Sequence, residues 1–169
     1  MDPAVVALTV LLAAASVEDL RSRRIPNILV GFGLCIGFGL AWSSMGAPGL
    51  WFALKGTAAA FALFLPLFLL RAFGAGDVKL MMVVGSLVGA QDSLIIAMMA
   101  LVASGALALG SSIASRRLAG TLSNLKATVF ALASRDFELA SGLAQSTTYQ
   151  VPFAIPVLIG AMAWIYYFY

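Results

Sequence analysis

Phe61-Ala-Leu-Phe-Leu-Pro-Leu-Phe-Leu-Leu70-Arg-Ala-Phe-Gly74-Ala-Gly76-Asp77-Val-Lys79-Leu80 reads as an apolar helix, a glycine-bearing turn and the start of a second apolar helix. Asp77 stands where the chain is otherwise fit only for a membrane. A carboxylate at that depth costs roughly 2.5–3.5 kcal/mol on insertion scales, so its presence asks for a function. A second acid, Asp19, lies at the foot of the first apolar segment, and the chain has no histidine. Two such acids point to carboxylate chemistry.

The rest of the composition agrees with a membrane protein. Of 169 residues, 62% are hydrophobic and 10% charged, against roughly 25% charged in an average soluble domain. The length suits one domain, 1–169. A span needs about 20 mostly apolar residues. Candidate spans are 3–18, 27–45, 52–71, 77–91, 93–114 and 151–169, which makes an all-α, polytopic chain of six transmembrane helices. The fourth is short, and Gln91-Asp92 is the expected break between it and the fifth. The N-terminal run is read as a retained span, because Asp2 stands where a signal peptide has basic residues and the arginines follow the apolar run.

Basic residues orient the chain. Arg21, Arg23 and Arg24 lie between spans one and two, Arg71 and Lys79 flank the turn between three and four, and Arg116, Arg117, Lys126 and Arg135 lie between five and six. The expected loops 43–49 and 91–93 carry no Lys or Arg. With six spans, all three basic loops share the cytoplasmic side and both termini lie outside. Residues 115–150 are the one sizeable polar segment. Leu118, Leu122, Leu125, Val129 and Leu132 recur at helical spacing, which predicts an amphipathic cytoplasmic helix, lying on the anionic inner leaflet or simply solvated.

The missing residues exclude much chemistry. Without histidine there is no Ser-His triad and no His-Glu-x-x-His zinc site. Cys35 has no base and no disulfide partner, and no ligand cluster for a metal can be assembled. No cofactor and no nucleic-acid partner are expected. A Ser-Lys arrangement stays formally open through Lys55 and Lys79. Asp19 and Asp77 fall at the cytoplasmic ends of their helices and can therefore share a depth. Two carboxylates that close do not both ionise easily, so one can act as base toward water while the other polarises a scissile carbonyl.

Gly74 and Gly76 are expected to permit backbone angles closed to other residues and to let a substrate backbone approach. A turn that opens a helix sets Asp77 near its positive end. Around Asp19, the stretch Glu18-Asp19-Leu20-Arg21-Ser22-Arg23-Arg24-Ile25-Pro26-Asn27 ends on a proline suited to start the next helix. Its arginines read as a positive-inside anchor, free also to bind an anionic head group or to face Asp19. On composition alone, an acid and its basic neighbours at a helix end fit an interface cap equally well.

Asp19 followed by Arg-Ser-Arg-Arg-Ile-Pro-Asn, then Gly74-Ala-Gly-Asp-Val-Lys-Leu80, resembles the type IV prepilin peptidases, polytopic aspartyl proteases of the Gly-x-Gly-Asp class. Val151-Pro-Phe-Ala-Ile-Pro156 is similar to the Pro-Phe segment that opens their last helix. The resemblance implies that Asp19 and Asp77 are the catalytic pair and that Gly74, Gly76 and Lys79 are motif residues. It implies an endopeptidase of the inner membrane that removes short basic leaders from prepilin-like precursors at the cytoplasmic face. The paired Cys-x-x-Cys segment of longer members is absent, so the chain resembles the compact peptidases of tight-adherence (Flp-type) pilus systems or the archaeal preflagellin peptidases, the former preferred, and methyltransferase activity is not expected. Other readings are a Gly-x-Gly-Asp protease of the presenilin or signal-peptide-peptidase group, a small ion-coupled transporter using Asp77, and a non-catalytic assembly factor.

The remaining features have simpler expected roles. Gly33–Gly37 and Gly85–Gly89 are spaced for close helix packing, within the monomer or in a homodimer, with the former favoured. Glu18, Asp2, Asp92, Asp136 and Glu138 are read as interfacial or solvated. Lys55 is placed to snorkel. Trp42, Trp51 and 164–169 suit an outer aromatic belt.

Overall fold

The computed structural model describes residues 2–70, 72–114 and 153–168, and all its regular elements are helices. Helix α1 spans Pro3–Ser22. Asp2 caps it, accepting the Ala4 N–H at 3.0 Å, and Pro3 sits in the first turn, where a missing N–H is harmless. It ends at Arg23, whose left-handed backbone (φ 52°) turns its N–H onto the Asp19 carbonyl at 2.9 Å. Helix α2 spans Asn27–Met45, and α3 spans Ala47–Leu69.

The loop expected at 43–49 contracts to Gly46. Its φ of 63° suits glycine, and it lets α3 begin at Ala47 rather than at 52. Pro48 is accommodated in the first turn of α3, where it breaks no hydrogen bond.

Helix α4 spans Ala75–Ala114, interrupted by Gly89 at φ 81°, ψ −178°. The break expected at Gln91-Asp92 therefore lies earlier. Positive φ is open to glycine at little cost, whereas Gln91 and Asp92 simply continue the helix, with Asp92 half-buried rather than solvated. A Cβ on Gly89 would also strike the Phe52 ring.

The last described helix, α5, is Ala154–Phe168. Its packing shows what Gly89 does. Phe153, at the foot of α5, meets Phe73, just before α4, edge to face. Gly160, about 10 Å further along, lies against Ile96, Met99 and Ala100. In a straight α4 those residues would stand about 30 Å beyond Asp77. The second arm of α4 must therefore double back toward the first.

Among the described residues, four helices are long and apolar enough to cross a membrane: α1, α2, α3 and the stretch Ala75–Gly110 of α4. The apolar α5 is shorter, at 15 residues. Straight, the 36 residues of Ala75–Gly110 would run about 54 Å through a hydrocarbon layer about 30 Å thick.

Packing inside the bundle uses close backbone approach. A Cβ on Gly56 would fall on the Gly85 carbonyl oxygen, and one on Gly85 on the Gly56 carbonyl oxygen. Beside this crossing of α3 and α4, the Thr57 hydroxyl donates to the Ala53 carbonyl at 2.9 Å. Gly33 faces Val83 and Gly37 faces Ser86, so α2 packs on the first arm of α4 in the same manner. Both glycine pairs thus serve contacts within the monomer. Trp42, Trp51, Tyr166 and Tyr167 are exposed, as an aromatic belt requires, but Trp164 is 4% exposed and belongs to the core. The expected amphipathic segment, the loop 141–150, Asp136, Glu138, Val151 and Pro152, and the basic residues Arg71, Arg116, Arg117, Lys126 and Arg135 lie outside the described residues.

Candidate active site

Leu8, Leu12, Ala15 and Asp19 recur at spacings of four, three and four, and all are buried. Asp19 thus completes the core-facing stripe of α1, one turn from its end. Its neighbour Glu18 is off that stripe and half-buried. Asp19 Oδ2 accepts the Ala154 N–H at 3.2 Å, a donor at the start of α5, where backbone amides lack intrahelical partners. Arg21, Arg23 and Arg24 are exposed, and the hydrogen bond on the Asp19 carboxylate comes from α5 rather than from them.

Because α4 begins at Ala75, Asp77 is its third residue. Its Oδ2 reaches back to the Gly74 N–H at 2.9 Å while its own N–H donates to the Gly74 carbonyl at 3.1 Å. This is the carboxylate half of a capping box. Asp19 and Asp77 are brought to the same end of the bundle, because the amides that bind them follow Phe153 and Phe73, whose rings touch. Each commits Oδ2 to a backbone amide, and Oδ1 of each makes no hydrogen bond among the described residues. Lys79 donates from Nζ to Asn27 Oδ1 at 2.9 Å, tying the first turns of α4 to the start of α2.

The two motif glycines do something different from what their pattern suggested. Neither has positive φ, which among the described glycines occurs at Gly46 and Gly89. A Cβ on Gly76 would meet Ile25 at 3.5 Å, an ordinary contact, and one on Gly74 would meet Asp77 Oδ2 at 3.5 Å. The turn is thus an ordinary helix start whose small residues leave Ile25 room beside Asp77. If the pair does the cleavage that the resemblance implies, Gly76→Ala should stay close to wild type, whereas Gly76→Val, driven into Ile25, should slow cleavage at equal membrane levels. Equal rates for Val and Gly would show that the fit to Ile25 is irrelevant.

Sequence reasoning passed over Ala154, whose contribution is a backbone amide. It also did not foresee that Phe64, Phe73 and Phe153 gather beside the carboxylates, with ring centroids 4.6–5.7 Å apart. The Val151–Pro156 pattern marked the segment, but the contact joins residues 135 positions apart, and nothing local announces that. A groove of about 580 Å³ lined by Ala47, Pro48, Trp51, Phe52 and Lys55 lies at the start of α3. The aspartates adjoin the other end of that helix, through Phe64.

An apolar helical bundle with two carboxylates from different helices converging at one end defines a polytopic membrane protein with a paired-acid site. The chain matches the type IV leader peptidase family over residues 6–109, a stretch that includes both acids. It belongs to that family of proteases. No curated protein and no solved structure matches it.

Proposed function

We propose that the chain is a membrane aspartyl endopeptidase that removes the short basic leader from type IV prepilin-like precursors at the cytoplasmic face of the inner membrane. Asp19 and Asp77 are its catalytic pair. Gly74, Gly76 and Lys79 position Asp77, the first two through the turn and the last through Asn27. The observation that carries this reading is the convergence of the two acids at one end of the bundle, each oriented by a backbone N–H next to one of two touching phenylalanines. With one proton between them, one carboxylate takes a proton from water as it attacks the scissile carbonyl. The other donates to the carbonyl oxygen, and the proton then passes to the leaving amine. The water, the acid and the base account for the hydrolysis without a covalent intermediate.

In this reading residues 1–169 form one domain of six crossings. Helix α4 supplies two of them by folding at Gly89, and α5 supplies the last. Both termini lie outside, and 115–150 returns to the cytoplasm as an amphipathic segment. The carboxylates, at the ends next to the basic loops, then meet a leader that stays cytoplasmic while the precursor's apolar helix is in the lipid. Both acids come from one chain, so a homodimer is not needed to build the site. Co-expression with pilin precursors from the same source, reading leader loss by mass, tests the activity. An intact leader on every precursor would overturn the assignment, and would return attention to an ion-coupled transporter using Asp77.

The topology has its own test. In a Cys35→Ser background, cysteines at Ser22 and Ser123 should resist an impermeant thiol reagent in intact cells, while one at the exposed Ser44 should react. The opposite pattern would place the acids on the wrong side for a leader.

A further inference from the structure

Each acid takes its hydrogen bond from the residue that directly follows a phenylalanine. Gly74, after Phe73, donates to Asp77, and Ala154, after Phe153, donates to Asp19. The rings of Phe73 and Phe153 meet edge to face, with centroids 4.6 Å apart and planes at 71°. Both residues sit in turns outside the helices, so helical hydrogen bonding alone does not fix where they lie relative to each other. Consecutive Cα atoms are only about 3.8 Å apart, so a ring that shifts carries the next amide with it.

We propose that the Phe73–Phe153 contact is a positioning device that sets the separation of the two amides and hence of Asp19 and Asp77. This rests on the two-acid reading above. Phe153 is 5% exposed and held from one side by the fully buried Phe64 (0% exposed), which braces the pair against the core. Phe64 touches both rings but lies within α3, and no carboxylate is bound to its neighbours' amides. It is therefore the internal control: the same cluster, and more deeply buried than Phe73, without the direct link to an acid.

The test uses the full-length protein in membranes and a purified precursor with a basic leader, a glycine and an apolar helix. Phe73→Leu and Phe153→Leu should each lower kcat roughly 10- to 100-fold, the scale of an ångström-sized misplacement, with little change in KM. The double variant should fall no further than the deeper single one, because either change already breaks the contact. Phe73→Tyr keeps the ring, and its half-buried position leaves room for a hydroxyl, so it should retain most of the rate. Phe64→Leu should lower the melting temperature but affect kcat least of the three.

Wild-type kcat in both single Leu variants would overturn the proposal. So would additive losses in the double variant, or an equal loss in Phe64→Leu, which would reduce the cluster to core packing. If Phe153→Leu does not accumulate, Phe73→Leu and Phe73→Tyr decide between them. Asp19→Asn and Asp77→Asn are run alongside. If they are inactive while the Phe variants are normal, the positioning role alone fails. If they cleave normally, the two-acid reading falls and the proposal falls with it.

Discussion

Asp19→Asn and Asp77→Asn should each reduce leader cleavage by at least about 10⁴-fold, and the double variant should be no worse than either single one, because the two acids act as a unit. Asparagine is the informative replacement at both positions. Asp77 Oδ2 caps α4 through the Gly74 N–H, and Asp19 Oδ2 receives the Ala154 N–H. The amide oxygen of asparagine can accept either bond, so the helix start and the α1–α5 contact survive while the titratable group is lost. Alanine would confound the result, because losing a cap costs about 1 kcal/mol of stability by itself. The measurement is precursor mass against time, at matched amounts of membrane-inserted protein. Near-normal cleavage by Asp77→Asn would reduce Asp77 to its capping role, and the same result at Asp19 would reduce that residue to a tether for α5.

The second large effect is expected at the crossing of α3 and α4. Gly56→Ala or Gly85→Ala should sharply lower the folded fraction in detergent, at or beyond the upper end of the about 1–3 kcal/mol typical of overpacking. The atom in the way is in each case a backbone carbonyl oxygen on the facing helix, which has no rotamer by which to withdraw. The two helices must separate, and the contact of Thr57 with Met82 at 3.4 Å goes with it. Gly31 and Gly39, whose added Cβ atoms would meet nothing within 4 Å, are the controls. Alanine there should be neutral, or stabilising by up to about 1 kcal/mol through helix propensity. Thermal unfolding of the purified variants, read by loss of monodisperse protein, decides the matter. Wild-type stability in Gly85→Ala would mean that the helices do not approach so closely.

The same physics explains why the two sets of glycines were read unequally well from sequence. Spacing alone indicated that Gly33, Gly37, Gly85 and Gly89 serve close packing, because a small residue every fourth position makes a groove on a helix. Spacing does not say which glycine bends the chain. Positive φ was expected at Gly74 and Gly76 because of the motif they belong to, but it occurs at Gly46 and Gly89. The break falls at Gly89, two residues before the polar pair Gln91-Asp92, where polarity alone points to a loop. In a membrane bundle a half-buried acid can continue a helix, while the reversal falls where a ring such as that of Phe52 leaves no space for a Cβ.

The class of fold, the apolar helices and the two exceptional acids are all legible in the chain, since each follows from local chemistry. Apolar runs of about 20 residues must span or be buried, and an acid in such a run is too costly to be incidental. The core-facing direction of Asp19 is also local, being set by its spacing from Leu8, Leu12 and Ala15. The partners of those acids come from the packing of distant segments. The Ala154 amide, the Phe73–Phe153 contact and the Lys79–Asn27 bond join segments far apart in the chain. Backbone amides and aromatic rings carry no pattern that names a distant partner. They acquire one when helices that must each bury an apolar face settle on the packing that also brings their polar ends together.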